Sequence, residues 1–172
     1  MSERQYAAVW GRRIRVITVL VLLLCGGVTV GIALLVNRPE ERWVVWLVTA
    51  LMLGIVGGTA LFSIRGFEIG RDGVRIRRVL WTNRIPFEAI ESAEVDPEAC
   101  RGAWKTMGND GLFAMHGWFR SRRLGSFRAF VTHPGDAVVL RGPKGIVVVS
   151  PENPRRFVND LNRRRGRGEG RP

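Results

Sequence analysis

The stretch from Met107 to Gly125, MGNDGLFAMHGWFRSRRLG, holds four glycines, three arginines and a histidine. Glycine backbone and cationic side chains together can cradle a phosphate. Such a cradle needs its glycines in one loop at the start of a helix, with a lysine and a serine or threonine close by. No helical periodicity follows Gly117 here, and Trp118, Phe119, Phe127 and Phe130 read as strand. Gly108 and Gly111 flank Asn109-Asp110, a turn composition. Gly117 and Gly125 fall where backbones or turns need room. The stretch therefore reads as structural, with Arg120, Arg122 and Arg123 at a hairpin tip.

Other reactive residues are scattered. His116 and His133 are 17 positions apart, with no Cys-x-x-Cys or His/Asp/Glu group beside either, which argues against a metal site. Ser121, Ser126 and Ser150 lack a nucleophile-elbow context and a placed base. Glu88, Glu91, Glu94, Asp96 and Glu98 form an acidic strip of evenly spaced carboxylates, which reads as a solvated strand and loop rather than a paired acid and base. Cys25 and Cys100 make no disulfide framework. No catalytic, cofactor-binding or metal-ligating residue is assigned, no small-molecule substrate is expected, and the chain reads as non-enzymatic.

The elements that carry these residues begin with two apolar runs. Val16 to Val36 is 21 residues without a charge, and Trp43 to Ile64 is 22. Each meets the roughly 20 residues a helix needs to cross a bilayer core of about 30 Å. Neither has the polar stripe of a buried soluble helix. The sequence predicts an N-terminal flank over 1–13, transmembrane helices over 14–36 and 43–64, and an external turn over 37–42. A secretory, twin-arginine or lipoprotein signal fits less well: the first run is too long, a second follows at once, and Leu24 stands where a small residue is wanted before Cys25. Arginines flank both outer ends of the pair, at 4, 12, 13 and 15 and again at 65, 71, 75, 77 and 78, so both termini are expected in the cytoplasm of an inner-membrane protein. Trp43 and Trp46 suit an interfacial belt, and the absence of ionisable residues within the runs argues for an anchor rather than a transporter. Gly27 and Gly31, and Gly54 and Gly58, form small-xxx-small stripes. These are expected to pack on each other within the chain, the alternative being dimerisation.

After residue 66 the pattern is mostly of period two. Phe67–Ile69 and Val74–Val79 flank a Gly-Arg-Asp-Gly turn, with Val74 and Ile76 on one side and Arg75 and Arg77 on the other. Short strands are expected over 81–87, 90–95 and 127–132, and a hairpin joins 137–141 to 146–150 through a four-residue turn. The end switches to helix: Ser150 or Asn153 can cap it, Pro151 or Pro154 suits its first position, and Phe157, Val158 and Leu161 share a face. Residues 66–162 thus form a small β domain closed by a helix, and the Gly/Arg run 163–172 is expected to be a disordered basic tail.

Several anchor points in this domain carry a resemblance: Gly108-Asn-Asp-Gly-Leu-Phe113, Gly117-Trp-Phe119, Leu124-Gly125, Ser150-Pro-Glu-Asn-Pro-Arg-Arg-Phe157 and Ile85-Pro-Phe-Glu-Ala-Ile90. Residues from about 66 to 161 resemble the bacterial PH-like domain of the membrane-tethered kind. The resemblance implies an antiparallel seven-stranded sandwich, or partly open barrel, capped at one end by the C-terminal helix. It brings no catalytic residues. PH domains elsewhere bind phosphoinositides through a Lys/Arg pattern on their first two strands; Arg71, Arg75 and Arg77 occupy that region here, and the lysine of the pattern is absent.

The net charge is +12, almost wholly from arginine, with Lys105 and Lys144 the only lysines. A basic domain held beside a cytoplasmic leaflet suits anionic lipid, through Arg71, Arg75, Arg77, Arg120, Arg122, Arg123, Arg163, Arg164 and Arg165. Charge alone does not choose between lipid and nucleic acid. The favoured expectation is protein recognition, scaffolding or self-assembly at the cytoplasmic face, with another protein or a second copy as partner. Sensing of anionic lipid head groups is the alternative, and nucleic-acid tethering by the arginine-rich tail stands behind both.

Overall fold

The apolar runs fold as helices because nothing in them interrupts the backbone ladder. In the computed structural model, which describes residues 4–36, 38–110 and 113–168, α1 spans Arg12–Leu35 and α2 spans Arg42–Leu61, joined through a 3-10 turn at Pro39–Glu41. Their 24 and 20 residues give about 36 and 30 Å at roughly 1.5 Å per residue. Both are long and apolar enough to cross a membrane, and side chains such as Leu24, Leu34, Trp46 and Leu53 stand exposed along them. The hydroxyls of Thr29, Thr49 and Thr59 donate back to the carbonyls of Cys25, Val45 and Ile55, so each is satisfied inside its own helix. A Cβ built on Gly27, Gly31, Gly54 or Gly58 would meet nothing within 4 Å. The expectation that the glycine stripes pack on each other within the chain is therefore not met.

The N-terminal flank is more than a flank. Residues Arg4–Ala7 form β1, which pairs antiparallel with β2 (Ile64–Ile69) in the register Arg4↔Ile69 to Ala7↔Gly66. The chain thus enters the helical pair from a sheet and returns from it to the neighbouring strand. β3 (Gly73–Arg78) and β4 (Thr82–Pro86) complete a four-stranded sheet in the order β1-β2-β3-β4. The remaining strands are β5 (Ser92–Val95), β6 (Trp104–Asp110), β7 (Met115–Ser121), β8 (Gly125–Val131), β9 (Val138–Gly142) and β10 (Gly145–Val149). They form a six-stranded sheet in the order β5-β9-β10-β8-β7-β6.

Two expectations are corrected. The domain expected to hold seven strands has nine among the described residues, β2–β10, which with β1 make sheets of four and six, and one pairing is parallel. β10 is the hairpin partner of β9 and slots between β9 and β8, which forces it to run parallel to β8. The basic run after Arg163 is also not a free tail as far as it is described: α3 extends over Pro154–Gly168. Pro154 takes the first helical position, and the Phe157 amide donates to the Asn153 carbonyl at 2.9 Å. Phe157 and Leu161 are fully buried, and Arg164 Nη1 donates to the Gly70 carbonyl at 2.8 Å, which ties down the later turns. Arginine is a good helix former, so the run continues helically once anchored. Ser150 does not cap; its hydroxyl accepts the amides of Thr132 and His133 at 2.8 and 3.2 Å. Asn37 of the expected turn, Gly111 of the expected loop, and the flank and tail positions 1–3 and 169–172 lie outside the described residues.

Alternate side chains of the six-stranded sheet feed two cores. Phe130, Val138, Leu140 and Val149 face the other sheet and pack with Phe67, Ile69, Val74, Ile76 and the two α3 anchors. Phe119, Phe127, Val131, Val139 and Val148 face the opposite way, under Ala99, Cys100 and Ala103. Full burial of a side chain such as Phe67 or Phe119 contributes about 1.5–3 kcal/mol.

β1 is fastened at its far side by α3. Tyr6 and Arg4 both donate to the buried carboxylate of Asp160, and the Tyr6 ring meets Phe157 edge-on at 5.2 Å. Burial opposes ionisation of Asp160, yet the hydrogen bonds from Tyr6 and Arg4 outweigh it and hold the carboxyl below its ordinary value. Burial, then the bond to Asp160, pushes the Tyr6 phenol up to about 12. The carboxyl's contribution to stability is therefore present above its ordinary value of 3.8 and lost as the pH falls through the folded value. Asp160→Ala should lower the stability of the full-length protein by about 1–3 kcal/mol, because it strands the Tyr6 hydroxyl. It should also flatten the fall in melting temperature below the ordinary carboxyl value. Thermal melts across acid pH read both effects.

Candidate functional site

The arginines expected at a lipid surface do not share one face. Arg71 sits in the β2–β3 turn, at the opposite end of β2 from α2. Six residues of strand separate them, about 20 Å. Arg164 reaches the Gly70 carbonyl in the same turn, and Arg165 lines a cleft of about 470 Å³ with Arg71, where Asp72, Glu88 and Glu91 offset the charge. Arg75 pairs with Glu68 and Asp72 at 3.3 and 3.7 Å. Arg77 is exposed beside Arg65 in a separate cleft that Gln5, Tyr6 and Glu152 also line. Arg122 and Arg123 form the β7–β8 tip with Arg120 just before it, and Arg123 pairs with Asp96. Arg163 is exposed on α3. Among the predicted residues, only Arg71 and Arg165 are brought together in one cleft.

The acidic strip is spent in a similar way. Glu94 binds Arg141, Asp96 binds Arg123 and Glu98 binds Arg101. Ser150 is buried with its hydroxyl accepting two amides, which leaves no free nucleophile there. The His133 ring binds Asp136 at 2.7 Å on the surface, while its backbone amide donates to Ser150. Among the described residues no three His, Cys, Asp or Glu side chains gather as a metal site.

A different cluster forms where the helices meet the domain. The Gly11 amide donates to the Thr132 carbonyl at 2.9 Å, and the Phe113 amide to the Thr18 hydroxyl at 3.3 Å, so Phe113 lies along the first turns of α1. Trp10 packs on Phe113 with ring centres 5.6 Å apart. Phe62, one residue past α2, meets Trp81 edge-on at 4.9 Å and stacks on His116 at 5.4 Å. Arg78, the last residue of β3, is only 9% exposed. Its guanidinium lies 5.4 Å from the Trp81 ring and 5.1 Å from the Phe130 ring, and that of Arg128 lies 4.9 Å from Phe130. Among the described residues neither arginine pairs with a carboxylate. Burial, then Arg128, lowers the affinity of Arg78 for its proton. Burial, then Arg78 and Arg128, pushes His116 down to about 4, so it is neutral at physiological pH. The buried Nε of Arg78 and Nδ1 of His116 have no hydrogen-bond partner.

Around this cluster the sheet is uncovered. Trp118 pairs with Arg128 on one side and Met107 on the other, and His116 pairs with Phe130 on the same face. Met107, on the free edge strand β6, is 71% exposed, and Trp118, on the neighbouring β7, is 49% exposed. The β3–β4 turn adds exposed Val79, Leu80 and Trp81. Sequence reading missed this grouping because positions 62, 78, 116 and 128 are joined only by tertiary contacts. The one local signal was Val79-Leu80-Trp81, three consecutive apolar residues at a turn.

A pair of glycines sets the platform's geometry. Gly108 and Gly117 face each other across β6 and β7, with φ of 120° and 127°. A Cβ on either would stand 2.2 Å from the carbonyl oxygen of His116 or Met107 respectively. Gly108 is thus a strand residue, not part of a turn as its composition implies, while Gly117 is structural as expected.

The model of a bacterial PH domain family matches residues 65–165, well over half of the chain, and the protein belongs to that family. No curated protein and no solved structure matches it. The class this defines is a PH-like β domain, a binding module in type, preceded here by two long apolar helices.

Gly108→Ala and Gly117→Ala should each lower the stability of the full-length protein by about 1–3 kcal/mol, since alanine is strained at such φ and has no space for its methyl. Chemical denaturation against the Gly166→Ala control, where a Cβ meets nothing, tests this.

Proposed function

We propose that this chain is a non-enzymatic, membrane-anchored PH-like module that recognises a protein partner or a second copy at the cytoplasmic face of the inner membrane. The anchor reading rests on two apolar helices and on the pairing of β1 with β2. That pairing brings the outer ends of the helical pair to one sheet, which agrees with arginines at both ends and supports both termini on one side. The observation that carries the recognition reading is the uncovered strip Trp104, Met107 and Trp118 on and beside the free edge strand β6. Aromatic and methionine side chains are enriched in interface cores, and an open strand edge offers unpaired backbone groups to a partner strand. A domain seated on its own helices presents such an edge at a fixed height, which suits a scaffold.

Anionic lipid is the second reading. The cations that favour it are not Arg71, Arg164 and Arg165, which lie at the end of the domain remote from α2, but Arg78 and Arg128. The basic helix end after Arg163 tethers α3 to Gly70, which weakens the nucleic-acid reading.

A photo-crosslinking residue at Met107 in native membranes should give one discrete adduct that disappears with Trp118→Ser, while the same residue at Glu88 gives none. Equal adducts at both positions, or none at Met107, would refute the recognition reading.

A further inference from the structure

The cluster beside Phe62 has charge without a partner. We infer that Arg78, Arg128 and His116 form a binding site for the phosphate group of an anionic lipid in the leaflet from which α2 emerges. This deepens the anionic-lipid reading, on which it rests, and shares with the protein-partner reading only the membrane anchor.

The electrostatics call for an anion. Two guanidinium groups lie 5.1 and 4.9 Å from one Phe130 ring, and among the described residues neither has a carboxylate. Burying a cation without a counter-charge is costly, and so is holding a second one near it. The aromatic rings offset part of this through their π faces. The arginine fork matches a phosphate with two parallel hydrogen bonds. Neutral His116 adds an unpartnered buried ring nitrogen to the same place. A phosphate would supply the charge and the acceptors at once.

Position names the source of the phosphate. Phe62 immediately follows α2 and touches both Trp81 and His116, so the site sits at the level where α2 ends. Val79 and Leu80 stand exposed next to Arg78, with Leu80 64% exposed, and Trp81 meets Phe62 in an edge-type contact. Apolar and tryptophan side chains beside arginine at a helix end match the layering of a membrane interface, where acyl chains give way to phosphates. A soluble anion would gain nothing from Val79 and Leu80, whereas a lipid places its chains on them as its phosphate meets Arg78. The site also differs from the β2–β3 turn, where Arg71 lies about 20 Å away along the strands.

The test uses full-length protein in neutral detergent, titrated with dioleoyl phosphatidic acid and followed by native mass spectrometry. One lipid should stay bound to the unaltered chain. Arg128→Gln changes an exposed side chain, should leave the melting temperature unchanged, and should weaken binding at least tenfold. Arg78→Met should abolish it. Arg71→Gln and Arg122→Gln should bind as the unaltered chain does. Dioleoyl phosphatidylcholine should not compete, and neither should inorganic phosphate at the same concentration. Unchanged binding in Arg128→Gln would overturn the inference, and so would an equal loss in Arg71→Gln. Displacement by inorganic phosphate would show a soluble-anion site instead and also count against it. A failure of these results leaves the Met107 crosslinking outcome untouched, so the two readings stand or fall separately.

Discussion

The pairing of β1 with β2 is the constraint on which the rest of the structure depends. Four residues ahead of α1 hydrogen-bond to a strand that begins three residues after α2. Neighbouring strands lie about 4.8 Å apart, so the two helices must leave and return at one place. α1 and α2 therefore cannot drift relative to the domain. Further contacts, from Gly11 to Thr132 and from Phe113 to Thr18, would be improbable with a flexible linker and follow directly from this closure. Asp160 extends the same logic to α3 by holding Tyr6 and Arg4 against the last helix.

Fixing the domain on its helices sorts the arginines by position. Those at the β2–β3 turn and the end of α3 stand away from the helices and are matched by nearby acids or carbonyls. Exposed pairs of this kind contribute little to stability, about 0–1 kcal/mol each. Arg78 and Arg128 stand near the helices without acids, against aromatic rings. The same residue type is thus balanced at one end of the domain and unbalanced at the other, a difference invisible in net charge.

Much of the fold was legible in the sequence because it depends on local pattern. The helices run Arg12–Leu35 and Arg42–Leu61, close to the uncharged runs. The β9–β10 hairpin around Gly142-Pro-Lys-Gly145 and the start of α3 at Pro154 follow from turn and cap chemistry. The family itself was legible from spaced motifs. β1 was not, because Arg-Gln-Tyr-Ala has one large apolar residue and gains its partner 60 positions later. β6 was not, because Lys-Thr-Met-Gly-Asn-Asp lacks alternation, and its glycine serves a close approach rather than a turn. The parallel β8–β10 pair depends on strand order, and the Arg78–His116–Arg128 cluster on three strands meeting beside Phe62. Such features belong to topology, which a period-two pattern does not encode.

Backbone hydrogen exchange on the full-length protein in lipid nanodiscs tests the central closure most directly, because it reads β1 without altering it. With β1 paired, the amides of residues 4–7 that face β2 should exchange far more slowly than a free peptide and be released together with those of β2. Exchange of residues 4–7 at the free-peptide rate, while β2 and β3 stay protected, would contradict the account.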